Sequence, residues 1–135
     1  MKNTFDKKAI ESLPFFFIIG RSRSGTTLIR TLFDAHPSVN ISLECPFILS
    51  LHKQFGGTNN WDRKTLLDFY NSLQKQSFVN YYNFSEMNFN HSQLKEDILA
   101  CEGNCSFQTL IKLIYFHFVS DFDKTGIKIL GDKNP

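Results

Sequence analysis

Five consecutive apolar residues, Phe15-Phe16-Phe17-Ile18-Ile19, follow a polar lead-in from Met1 to Ser12 and stop at Gly20. So short and unbroken a run predicts a parallel strand covered on both faces. Pro14 opens it, where a missing N–H does least harm. From Thr26 to His36 the period changes. Leu28 and Leu32, then Ile29 and Phe33, recur at i, i+4 and predict a helix with one apolar stripe, ended by Pro37. Val39 to Leu43 predicts a short second strand. Pro46 suits the first turn of a helix through Phe47, Ile48, Leu49, Leu51 and Phe55, which stops at Gly56-Gly57. Asp62 is a candidate N-cap for a helix through Leu66, Leu67, Phe69, Tyr70 and Leu73. Ser77 to Asn90 is aromatic and Asn-rich without a period, and reads as irregular. Ser92 to Cys101 predicts a short helix, and Ser106 caps a longer one through Leu110, Leu113, Ile114, Phe116, Phe118 and Val119. After Gly126, Ile127 to Leu130 predicts a third strand running into Gly131-Asp132-Lys133-Asn134-Pro135.

Strand, helix, strand, several helices, strand is an α/β order that favours a parallel sheet with flanking helices. At 135 residues the chain is one domain at most. A three-strand sheet leaves an edge open, and the chain stops after a buried-looking strand. The expectation is therefore that residues 1–135 are the N-terminal part of a single larger domain, with the sheet incomplete at its C-terminal end.

Totals narrow the chemistry only a little. A net charge of +2 without a Lys/Arg-dense block argues against a general nucleic-acid binder. Cys45, Cys101 and Cys105 are odd in number and form no C-x-x-C pair, which argues against a disulfide framework or a zinc site and for free thiols in a reducing cytoplasm. No segment is long enough to span a membrane.

The segment between the first strand and its helix carries the chemistry. Gly20-Arg21-Ser22-Arg23-Ser24-Gly25-Thr26-Thr27 spaces its glycines as in the nucleotide-binding P-loop, whose backbone N–H groups and helix dipole converge on a phosphate. Thr26 stands where that loop has lysine. Positive charge moves to Arg23, with hydroxyls at Thr26 and Thr27, which suits a group carrying fewer charges than a triphosphate.

Arg23-Ser24-Gly25-Thr26-Thr27-Leu28, then Leu32, Asp34-Ala35-His36-Pro37 and Glu44, resembles the P-loop sulfotransferases, most closely the tyrosylprotein sulfotransferases and their bacterial relatives. The final Asp132-Lys133-Asn134-Pro135 resembles a later strand-end motif of the same family. The resemblance implies a P-loop NTPase-like α/β fold and 3′-phosphoadenosine-5′-phosphosulfate (PAPS) as co-substrate, with no metal. It implies that Arg23, Ser24, Gly25, Thr26 and Thr27 bind the 5′-phosphosulfate. Glu44 would be the general base toward an acceptor hydroxyl, and Lys133 would sit beside the transferring sulfuryl group. The family's 3′-phosphate ligands, an arginine and a serine, would lie beyond the last motif here. Residues 49–125 carry no matching motif.

Other readings remain at this point. An atypical P-loop kinase or nucleotide hydrolase would use Asp132 as its acidic strand end, and an inactive anion-binding fragment would use the loop alone. Glu44 before Cys45-Pro46 is also a natural helix cap. His36 reads as closing its helix; His52, His91 and His117 read as structural or exposed, and Tyr81, Tyr82 and Phe84 as packing residues.

Overall fold

In a computed structural model of the chain, residues 6–21, 24–43, 47–78 and 82–134 are described. A short helix, α1 (Lys7–Ser12), is capped by Asp6, whose carboxylate accepts from Ala9 N. It leads into β1 (Phe15–Ile19), α2 (Thr26–Asp34) and β2 (Val39–Ile41). Helices α3 (Phe47–Phe55) and α4 (Arg63–Gln74) follow, then β3 (Ser77–Phe78), β4 (Tyr82–Asn83) and a 3₁₀ turn over Phe84–Glu86. Helices α5 (His91–Leu99) and α6 (Phe107–Phe116) then lead to β5 (Ile129–Asn134).

The three long-range strands form one parallel sheet in the order β1-β5-β2. Gly131 explains how close β1 and β5 run: a Cβ there would lie 2.6 Å from the Phe16 ring. Phe16 in turn touches Phe33 of α2, at 5.2 Å between ring centroids. On the opposite face Phe15 meets Tyr115 of α6 edge-on at 5.1 Å. The sheet thus lies between α2 and α6. Its main core is on the α6 side, where Phe47, Leu51, Leu66, Phe69, Phe84, Leu94, Ile98, Leu110, Leu113, Ile114 and Tyr115 are buried against Leu130. Caps set the frame of these helices. Asp62 accepts from Thr65 N at 2.8 Å and Ser106 from Thr109 N at 3.2 Å, each satisfying an otherwise orphaned donor.

Three expectations are corrected. Residues 77–90 are not wholly irregular, since β3 and β4 pair antiparallel, with Ser77 opposite Asn83. The third strand begins two residues later than expected and runs four further, so Asp132, Lys133 and Asn134 are inside it. The first strand is not covered on both faces, because Phe17 and Ile19 of edge strand β1 are exposed. The apolar stripe of α2 is likewise open, with Leu28, Ile29, Leu32 and Phe33 exposed and Thr26 and Asp34 the buried positions. A period shows which residues share a helix face, but not which face a neighbouring layer covers.

The buried side of α2 is polar because it seals the outer edge of β2. Asp34 Oδ1 accepts from Ile41 N at 3.3 Å. The Arg30 guanidinium donates to Ile41 O at 3.0 Å and Ser42 O at 3.1 Å. Lys124 donates to Asp34 and to Val39 O, and Ser120 Oγ to Asp34 Oδ2 at 2.6 Å. Burial pushes the Arg30 guanidinium down from its usual value, while Asp34 and Asp121 pull it back up.

Candidate active site

Strand β1 delivers the chain to Gly20 at the C-terminal edge of the sheet, where open parallel sheets bind ligands. Both glycines of the loop have a steric reason. Gly25, the N-cap of α2, has φ +87°, a left-handed conformation that favours glycine. A Cβ on Gly20 would come within 2.7 Å of Thr26 Cγ2 and 3.0 Å of Ser24 Oγ, so the loop closes directly over the start of the helix. Ser24 gives its hydroxyl and its N–H to Arg21 O, at 2.5 and 3.2 Å. Thr26 is buried and Thr27 exposed.

Among the described residues no side chain caps α2. The positive end of its dipole and the N–H groups of its first turn therefore meet the loop without a capping side chain among those residues. A cradle closed by two glycines at an uncapped nine-residue helix fits an anionic group such as the phosphosulfate of PAPS. Arg23 and Glu44, with Ser22, Cys45 and Pro46, lie outside the described residues. The chain leading to Glu44 is nevertheless held, because Arg30 grips the carbonyls of Ile41 and Ser42.

The central strand brings in the last predicted residue. Lys133 pairs in register with Ile18, one step before Ile19 pairs with Asn134. Alternation along β5 sets it on the face of Gly131, which is the α2 side, next to where β1 enters the loop. It is 5% exposed, so it is not the surface lysine that a position near a chain end would imply. Asp132 points the other way. Its carboxylate accepts from Tyr115 Oη at 2.7 Å and from Asn134 Nδ2 at 2.6 Å, tying the end of β5 to α6.

Sequence reasoning missed two buried polar groupings. The Arg30–Asp34 part of the β2 seal could have been found from its i, i+4 spacing. The other joins His117 Nε2 to Asp97 Oδ2 at 2.6 Å across twenty residues, with Gln93 Nε2 donating to Asp97 Oδ1 at 2.8 Å. No local signal announces it. It holds α5 to the end of α6, on the core side of the sheet. Among the described residues no group of three or more His, Cys, Asp or Glu could hold a metal ion, and no helix is long and apolar enough to cross a membrane. An apolar cleft of about 190 Å³ lies between β1, α3 and α6, lined in part by Phe15, Phe17, Ile48 and Phe107, and shares no residue with the loop.

Comparison with known proteins agrees with this geometry. The chain matches the sulfotransferase family over residues 14–135, from the residue before β1 to the end of the β5 motif. It is 46% identical over 54 residues to protein-tyrosine sulfotransferase A of Caenorhabditis elegans, a stretch that covers 37% of this chain and 14% of that protein. No solved structure matches it significantly. The loop, the parallel sheet and the β5 strand end all lie within the matched span, and the chain belongs to the sulfotransferase family.

Proposed function

We propose that this chain carries the 5′-phosphosulfate end of a PAPS-dependent sulfotransferase site, acting on an acceptor hydroxyl. The observation that carries the proposal is the convergence of an uncapped α2 N-terminus, a loop closed by Gly20 and Gly25, and buried Lys133 at one corner of the sheet.

The chemistry needs little more than positioning and charge. An acceptor oxygen attacks sulfur as the bond from sulfur to the bridging phosphate oxygen breaks, and negative charge builds on the leaving phosphate. The N–H groups of Gly25, Thr26 and Thr27, with the threonine hydroxyls, bind the phosphosulfate oxygens. The Arg23 guanidinium pairs with them in bidentate fashion, and Lys133 offsets the charge that develops during transfer. Glu44 takes the acceptor proton. Arg30 acts at a distance by fixing the end of β2 from which the chain continues to Glu44.

The test separates donor binding from transfer. Calorimetric titration with PAPS should show binding that Arg23→Ala or Lys133→Ala weakens at least about tenfold, the loss of one charge-assisted contact. Transfer of labelled sulfuryl to a tyrosine-containing peptide should fall about 10²–10⁴-fold in Glu44→Gln, with PAPS affinity unchanged. Magnesium-dependent ATP turnover without PAPS binding, or PAPS binding indifferent to both cationic residues, would overturn the reading.

A further inference from the structure

The sheet holds the end of β5 that carries Lys133 on one side only. β2 pairs with β5 as far as Gly131, so Asp132, Lys133 and Asn134 have β1 as their one strand neighbour among the described residues. β1 is itself an edge strand, and Ile19, opposite Asn134, is 81% exposed. Composition adds little hold, since Gly131, Asp132 and Asn134 are poor strand formers. So thin a ladder is a weak support for a charge that must meet a reacting group, where a misplacement of about 1 Å can cost about a hundredfold in rate.

The remaining hold comes from the core face. Asp132 turns its carboxylate toward α6, where it accepts from Tyr115 Oη at 2.7 Å and from Asn134 Nδ2 at 2.6 Å. Tyr115 is fully buried and braced at three further points. Its ring meets Phe15 of β1 and Phe47 of α3 edge-on, with centroids 5.1 and 6.1 Å away. Its carbonyl accepts from Asn40 Nδ2 of β2 at 2.8 Å. The hydroxyl is thus a donor in a fixed place, aimed at the residue next to Lys133.

We propose that Tyr115 is a positioning residue for Lys133, setting the lysine against the phosphosulfate by holding Asp132. The proposal rests on the sulfuryl-transfer reading above. Tyr115 lies on the core side of the sheet and Lys133 on the face of Gly131, so the tyrosine acts through the strand. Neighbouring side chains leave a strand on opposite faces of one backbone. Fixing the Asp132 carboxylate fixes the peptide shared with Lys133, and with it the direction in which the lysine leaves β5. Asn134, two residues beyond Asp132 on the same face, keeps the last step of the strand extended.

The test is a double-mutant cycle read by calorimetric titration with PAPS. Tyr115→Phe keeps the ring and its packing and removes only the hydroxyl. It should weaken PAPS binding about three- to tenfold in the parent chain, but less than about 1.5-fold where Lys133 is already alanine, because residues acting as one unit are not additive. A merely structural role would weaken binding equally in both backgrounds. Asn134→Ala leaves Tyr115 in place and should show the same dependence on Lys133 with a smaller effect, so the cycle stands even where Tyr115→Phe does not fold. Hydrogen exchange adds a local readout: the Asn134 amide should exchange faster in Tyr115→Phe, with Leu130 unchanged. Additive losses, or parent-like PAPS binding in both variants while Lys133→Ala weakens it, would overturn the proposal. Parent-like binding in Lys133→Ala itself would remove the sulfuryl-transfer reading, and this inference with it.

Discussion

The two edges of the parallel sheet are built in opposite ways. At β2, Val39 O, Ile41 N, Ile41 O and Ser42 O are met by side chains of Arg30, Asp34 and Lys124, with Asp34 buried and the two cations partly so. At β1, no strand pairs on the outer side among the described residues, and Phe17 and Ile19 are 57% and 81% exposed. The exposed stripe of α2, from Leu28 to Phe33, adds to the apolar surface of the molecule. The difference sorts the charged residues near the loop. Arg30, Asp34 and Lys124 are spent on closing an edge that would otherwise offer unpaired backbone groups. Lys133 is buried on the central strand, in register with the strand that enters the loop, and the proposed transfer uses that position.

The contrast is broken most severely at Asp34. In Asp34→Ala, Ile41 N–H loses its acceptor and two partly buried cations lose their buried counter-ion. Removing one partner of a buried charge network costs about 3–5 kcal/mol, and urea unfolding should show a loss of that size. A loss under about 1 kcal/mol would mean that the β2 seal is ornamental. Next comes Lys124→Met, which keeps the aliphatic stem but removes the donor to Val39 O and Asp34 while leaving Arg30 and Ser120 in place. The expected loss is about 1–3 kcal/mol, the cost of leaving buried acceptors short of a donor. Equal losses in the two variants would locate the seal in the lysine rather than in the carboxylate.

How much of this was legible follows from the range of each interaction. Loop glycines, the caps at Asp62 and Ser106, and the five-residue β1 strand are local, and their residues announce them. Lys133 is singled out by its neighbours, but its place inside β5 is not legible, because Gly131, Asp132 and Asn134 are poor strand formers. Its strand conformation comes from pairing with β1, 115 residues earlier in register. The β2 seal joins Asp34 to Ser120 and Lys124 across 86 and 90 residues, and the Asp97–His117 pair spans 20; neither has a spacing rule. The α2 stripe is legible as a stripe, but its exposure is not. Nothing local tells Leu32 that the sheet beneath it is narrow.

The open edge gives the smallest stability effect and the sharpest contrast. Ile19 is the most exposed apolar residue of β1, so Ile19→Lys removes little buried area, and its ammonium projects into solvent. Stability should change by no more than about 0.5 kcal/mol, as for surface positions generally. What should change is association. Lysine on an unpaired strand edge disfavours edge-to-edge pairing, so sedimentation at raised protein concentration should show less self-association in Ile19→Lys than in the parent chain. A destabilisation comparable to that of Lys124→Met would show that the β1 edge is engaged after all, and the two edges would then differ in the means of closure rather than in being closed.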